Sequence, residues 1–281
     1  MKKVKVAFFD FTSCEGCQIE LTNLGEAVFM GLLDHIEIVE FREVMKEQTA
    51  EPIDIAFIEG SFSRESDRAR LQEIRRRAAI VVAYGSCAAI GGINALRNHQ
   101  PDCGEFVYGP AARMPHLASE AAKPISEVIK VDHKIYGCPV SMGEFVRVVS
   151  DLLHGKTPTI PDYSVCVECK MNETICRYAV GDHCLGPLAR AGCGAPCPAD
   201  GVPCEACRGL VDQPNLASLE KGLREKGGLP AERAAAKTRM FASAGRPTEP
   251  PATAEPRRSS PETQASGGGW NAILTVDSQR P

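Results

Sequence analysis

Residues 4–17 read VKVAFFDFTSCEGC: a short run of β-branched and aromatic residues, a polar turn, then two cysteines in CxxC spacing. The run has the length and composition of a strand. The same order of apolar run, glycine and cysteine returns in AAIVVAYGSC, residues 78–87, and in KIYGC, residues 134–138. Strands are expected at residues 4–9, 36–41, 53–58, 80–84 and 134–136, with helical patterns at 18–33, 64–77 and 142–154. Strands that alternate with helices mark a parallel sheet covered on both faces. The order fits an α/β fold of the flavodoxin-like, doubly wound kind.

In such a sheet the carboxyl ends of the strands share one edge, the crevice where ligands bind. Cys14 and Cys17 follow the first strand, Cys87 the fourth and Cys138 the fifth, so four thiols far apart in sequence are expected to meet there. Four converging thiolates suit a 4Fe-4S cluster. Gly16, Gly85, Gly91, Gly92 and Gly137 would let the backbone pass close to a bulky inorganic cube, and Pro139 would stiffen the last loop. Taken alone, the CEGC pair suits equally a thioredoxin-like redox pair or half of a zinc site. Cys87 and Cys138 at equivalent strand ends tip the balance to a cluster.

From residue 161 to 209 the composition changes to eight cysteines among many glycines and prolines, with little periodicity. A conventional hydrophobic core is not expected in this segment, and bound clusters would have to organise it. Cys166, Cys169, Cys176, Cys184, Cys193, Cys197, Cys204 and Cys207 make two sets of four, and Cys197-Pro198 has the Cys-Pro order that follows an iron-sulfur ligand. A pair of tetrahedral zinc sites is the alternative. Zinc ribbons set their knuckles in hairpins of β-branched and aromatic residues, which are scarce here. Twelve of the thirteen cysteines are then used, and Cys103 is left as a bystander.

The rest of the composition excludes several classes of function. A net charge of -4 gives no basic field for nucleic acid. No apolar run reaches the length of a membrane span, and MKKVKVAFFDF has neither the apolar core nor the cleavage site of a signal peptide. Thirteen cysteines without an export signal point to a reduced, cytoplasmic protein whose thiols bind metal. Residues 1–158 are expected to form the sheet domain and 159–244 a smaller, irregular cysteine-rich domain ending in one or two exposed helices between 213 and 240, which would cover it or dock a partner. Residues 245–281, poor in anything that could offset the entropy of ordering, are expected to be a disordered tail.

SCEGCQ, DIAFIEGS, GSCAAIGG, IYGCP, CVEC, CLGP, AGCGAPCP and CEACRG, in that order, resemble the small subunit of cytoplasmic nickel-iron hydrogenases, nearest the delta subunit of the soluble NAD(P)-linked or sulfhydrogenase type. The resemblance spans residues 4–240 and lies within a superfamily like the 20 kDa subunit of NADH:ubiquinone oxidoreductase. It implies three 4Fe-4S clusters: a proximal one on Cys14, Cys17, Cys87 and Cys138, a distal one on Cys166, Cys169, Cys176 and Cys184, and a medial one on Cys193, Cys197, Cys204 and Cys207. Cys166 stands where membrane-associated uptake hydrogenases have a histidine, and Cys197 where they have a proline, which implies that no 3Fe-4S centre is present.

The implied function is electron transfer between the nickel-iron site of a large subunit and a flavin- or NAD(P)-binding subunit, with no catalytic site on this chain. The sequence has neither paired CxxC motifs at its termini for nickel nor a GxGxxG or GxxxxGK[ST] nucleotide loop. Glu15 and Glu59 are candidates for proton relay or interface orientation, or are structural carboxylates. The alternatives are a small subunit feeding a heterodisulfide reductase and a zinc-stabilised interaction module; the one-cluster subunit of respiratory complex I is disfavoured by the eight further cysteines.

Overall fold

A computed structural model describes residues 3–46, 48, 50–100, 103–110, 114 and 118–241. All of these lie in one compact unit, residues 1–248. The expected tail, residues 245–281, is outside the described residues.

Five strands build the sheet: β1 (Val4–Asp10), β2 (Ile36–Phe41), β3 (Ile53–Glu59), β4 (Ala78–Tyr84) and β5 (His133–Ile135). Their order is β2-β1-β3-β4-β5, and every neighbouring pair is parallel. This is the doubly wound arrangement, with the strand order reversing between β1 and β3.

Side chains alternate along each strand, so two cores form. Phe8, Phe57, Val82 and Tyr84 face one way, against helices α1 (Gly16–Thr22), α2 (Glu26–Leu33) and α6 (Met142–Leu153). Ala7, Phe9, Ala56, Ile58, Val81 and Ala83 face the other, against α3 (Arg68–Arg77) and α4 (Ser86–Ile90). On the first face four rings interlock: Phe57 stacks on Phe8 at 5.1 Å between centroids and packs against Phe145 at 5.3 Å and Tyr84 at 5.7 Å.

The expected helix over 18–33 is two helices. Asn23 caps the end of α1 and Gly25 precedes α2, and both residue types favour helix ends over interiors. Cys87 and Cys17 therefore sit in first turns of helices, on α4 and α1, rather than in open loops. A short α5 (Cys103–Tyr108) carries Cys103.

The cysteine segment also differs from expectation. It contains α7 (Val165–Met171) and the single turn α8 (Pro196–Ala199), and is followed by α9 (Leu216–Glu225) and α10 (Ala231–Arg239). Val165, Leu185, Ala189, Ala195 and Ala206 form a small apolar core with Leu219, Leu223 and Ala234 of the last two helices. Those helices take the covering role, with an apolar face on this core and a charged face outward. The core was hard to foresee because half its side chains are alanines, whose burial leaves no periodic hydrophobic signal.

Candidate metal centre

The carboxyl ends of β1 and β3 meet at the point where the strand order reverses. There Glu59, the last residue of β3 and 2% exposed, accepts the backbone N–H of Cys17 at 3.2 Å and of Gln18 at 3.1 Å. Helix α1 has no capping bond from the side chain at its own N-cap, so this carboxylate from a neighbouring strand satisfies its first free donors. Burial pushes the Glu59 carboxyl up, and the bonds from Cys17 and Gln18 oppose it. Glu59→Ala is expected to lower the unfolding free energy by about 1–3 kcal/mol, seen as a lower urea midpoint. Glu15 has a left-handed backbone, with φ of 60°, and pairs with Arg42 at 3.3 Å. Burial and then Glu43 raise its carboxyl, while Arg42 lowers it.

Cys17 is buried, Cys87 and Cys138 are half-buried and Cys14 is exposed. Burial is the largest influence on the first three thiols, followed by carboxylate and thiolate neighbours. Cys17 is raised by burial, Glu59, Cys87 and Cys138; Cys87 is pushed up to about 12 by burial, Cys138, Cys14 and Glu59; Cys138 is raised by burial, Cys14 and Glu59. The four thus lie within electrostatic reach of one another.

Ser86 ties the strand ends together. Its N–H donates to Gly137 O at 2.8 Å, its hydroxyl accepts from Gly137 N at 3.0 Å and donates to the carbonyl of Cys207. Tyr84 donates its hydroxyl to Cys17 O at 2.9 Å from the aromatic core below. Gly85 has φ of 89° and ψ of 163°, and a Cβ there would lie 2.5 Å from Cys17 Sγ.

The eight later thiols fall into two neighbourhoods. Cys166 is pushed up to about 11 by burial and then by Cys184, Cys169 and Cys176. Cys169 and Cys184 are raised by burial and also by Cys176. Cys184 Sγ accepts the N–H groups of Gly186 and Cys204, each at 3.4 Å. In the second neighbourhood Cys204 is raised by burial, Cys184, Cys207 and Cys193, and Cys207 by burial, Cys138 and Cys197. Three influences cross between neighbourhoods: Cys207 with Cys138, Cys204 with Cys184, and Cys193 with Cys169. The segment 193–207 touches both of the others: Ser86 at the sheet edge bonds to the Cys207 carbonyl, and the Cys204 N–H bonds to Cys184 Sγ.

A donor set of clustered, partly buried thiols with amide donors on sulfur fits a polynuclear iron-sulfur core. Among the described residues no group of three or more His, Cys, Asp or Glu side chains is arranged to hold a single ion. Among them, too, no helix is long and apolar enough to cross a membrane.

Sequence reasoning missed Ser86, Tyr84, Glu144 and Arg208. The signal for the last two was a charge in the wrong place: Glu144 interrupts the apolar face of MGEFVRVV, and Arg208 closes a ligand-like motif, CEACRG.

The chain is similar to known proteins over most of its length. The family described as NADH ubiquinone oxidoreductase, 20 Kd subunit, matches residues 14–152. Sulfhydrogenase 2 subunit delta of Pyrococcus furiosus is 34% identical over 240 residues, covering 85% of this chain and 99% of that protein. A subunit of the vhu hydrogenase of Methanocaldococcus jannaschii is 34% identical over 242 residues, covering 75% and 83% respectively. In structure the chain shares the fold of a subunit of the actinobacterial-type NiFe-hydrogenase from Ralstonia eutropha, with a TM-score of 0.51 at 17% identity, covering 84% of this chain and 90% of that one.

Proposed function

Because the chain belongs to the hydrogenase small-subunit family, an oxidoreductase family, we propose that it is the electron-transfer small subunit of a cytoplasmic nickel-iron hydrogenase. Electrons would pass through three 4Fe-4S clusters between the nickel-iron site of a large subunit and a flavin- or NAD(P)-binding subunit, and no bond-making chemistry would occur on this chain. The single observation that carries this reading is the row of three thiol neighbourhoods, joined by the bond from Ser86 at the sheet edge to the Cys207 carbonyl and by the bond from Cys204 N–H to Cys184 Sγ.

The groups, when bound, would each accept and release one electron. The chain's own residues do the rest. Cys14, Cys17, Cys87 and Cys138 would hold the proximal cluster, Cys193, Cys197, Cys204 and Cys207 the medial one, and Cys166, Cys169, Cys176 and Cys184 the distal one. Glu59 locks α1, and with it Cys17, against β3. The N–H groups of Gly186 and Cys204 would favour a thiolate at Cys184. The division into a sheet domain to residue 158 and a cysteine-rich domain from 159 to 244 assigns one cluster to the first and two to the second. Cys14, the exposed member of the first set, would face the large subunit, and exposed Cys176, at the other end of the row, the acceptor subunit.

Anaerobic purification of the chain followed by metal and sulfide analysis tests this reading. About twelve irons per chain with matching acid-labile sulfide, and no nickel, are expected. About two or three zinc ions per chain without sulfide would overturn it in favour of a structural metal module.

A further inference from the structure

Arg208 and Glu144 are each 1% exposed, and electron relay as described gives neither a role. They form a two-pronged ion pair, Arg208 Nη1 to Glu144 Oε2 at 2.7 Å and Nη2 to Oε1 at 2.8 Å. Two further guanidinium donors go to backbone: Nε to Ala191 O at 2.8 Å and Nη1 also to Tyr136 O at 2.6 Å. Tyr136 lies two residues before Cys138, Ala191 two residues before Cys193, and Arg208 directly follows Cys207. One side chain therefore ties a sheet-edge loop to two loops of the cysteine segment. Gly192, with φ of 117°, lets the backbone pass the pair so closely that a Cβ there would overlap Arg208 Nη2 and Glu144 Oε1. Glu144 has one further cation near it, the half-exposed Arg147 at 3.7 Å.

A buried ion pair forfeits hydration that apolar packing would not, so stability alone is a poor reason for it. Its place between two thiol neighbourhoods supplies another reason. Arginine stays charged at every working pH, and the potential of an iron-sulfur centre depends on nearby charge.

We propose that Arg208, oriented by Glu144, is a positioning residue that sets the Cys193 and Cys207 loops against the Cys138 loop and holds up the reduction potential of the middle iron-sulfur centre. This rests on the proposed three-cluster relay. An added electron is attracted by the guanidinium and repelled by the carboxylate. Removing the cation must therefore lower the potential of that centre, and neutralising the anion must raise it.

The test is potentiometric titration, followed by electron paramagnetic resonance, of the anaerobically purified complex carrying Arg208→Met, Arg208→Lys or Glu144→Gln. Arg208→Met is expected to disfavour reduction of one centre at least tenfold, a fall of ~59 mV for one electron. Glu144→Gln is expected to move the same centre upward, and Arg208→Lys, which offers a charge without the guanidinium fork, to lower it by less than Arg208→Met does. A purely structural role gives no shifts of opposite sign. If Arg208→Met does not assemble, the upward shift in Glu144→Gln decides. Shifts in the same direction, or none in Glu144→Gln at full iron content, overturn the proposal and leave the relay reading standing. Absence of labile sulfide from the unmodified complex overturns both.

Discussion

The Gly85→Ala chain, purified anaerobically, is expected to carry about eight irons where the unmodified chain carries about twelve. The reason is local and double. With φ of 89° and ψ of 163°, Gly85 occupies a backbone region that is essentially closed to other residues and costs about 1–3 kcal/mol when forced. The new methyl would also meet Cys17 Sγ at 2.5 Å, and it could clear that sulfur only by moving α1 or β4. Either movement acts directly on the first thiol set and reaches the later eight less directly, through the bond from the Ser86 hydroxyl to the Cys207 carbonyl. Gly155→Ala is the control, because φ there is 66° and nothing lies within 4 Å of the added carbon. It adds a methyl at a positive φ without the collision and should retain its iron. Iron content equal to the unmodified chain in Gly85→Ala would show that the Cys17 sulfur needs no such clearance.

Phe57→Ala is expected to lower the unfolding free energy by about 3–5 kcal/mol, a large part of the ~5–15 kcal/mol that holds a domain folded. Phe57 is 1% exposed and lies at the centre of the ring cluster with Phe8, Tyr84 and Phe145. The cavity cannot collapse easily, because three of these rings stand on neighbouring strands in fixed register, Phe8 opposite Phe57 and Tyr84 opposite Glu59. A second effect follows from Tyr84, whose hydroxyl holds the Cys17 carbonyl. The variant should release its iron at a lower urea concentration than the unmodified chain, before the sheet unfolds. Urea titrations followed by circular dichroism and by visible absorption measure the two events. A stability loss below about 1 kcal/mol would mean that the ring cluster repacks around the gap.

How much of this was legible in the sequence differs from one part of the chain to another. The strands were legible because VKVAFFD and AAIVVAY are apolar without interruption, as strands buried on both faces must be. Their carboxyl ends placed Cys14, Cys17, Cys87 and Cys138 at one edge without any knowledge of the loops. The break between α1 and α2 was written in Asn23 and Gly25 but outweighed by the apolar pattern on either side. The small core of residues 165–234 had no comparable signal. It is made of single alanines and leucines spaced by turns, and it becomes visible only when Leu219 and Leu223 fold back over Leu185 and Ala189. Arg208 and Glu144 were visible as letters and invisible as a pair, since 64 residues separate them and no local rule relates an α6 position to a turn so far along the chain.

The row of thiols is not laid down in the order in which the chain is made. The ribosome releases the sheet-edge cysteines first, then the outermost group at residues 166–184, and the group that stands between them, 193–207, last. Both ends of the row exist before its centre. On the proposed relay, a message cut short after Cys184 would therefore yield not a shorter wire but one with a gap, and a nascent chain would have a period in which its two ends could not exchange charge. Loss of the last few codons of this segment is more disabling to the row than their number suggests.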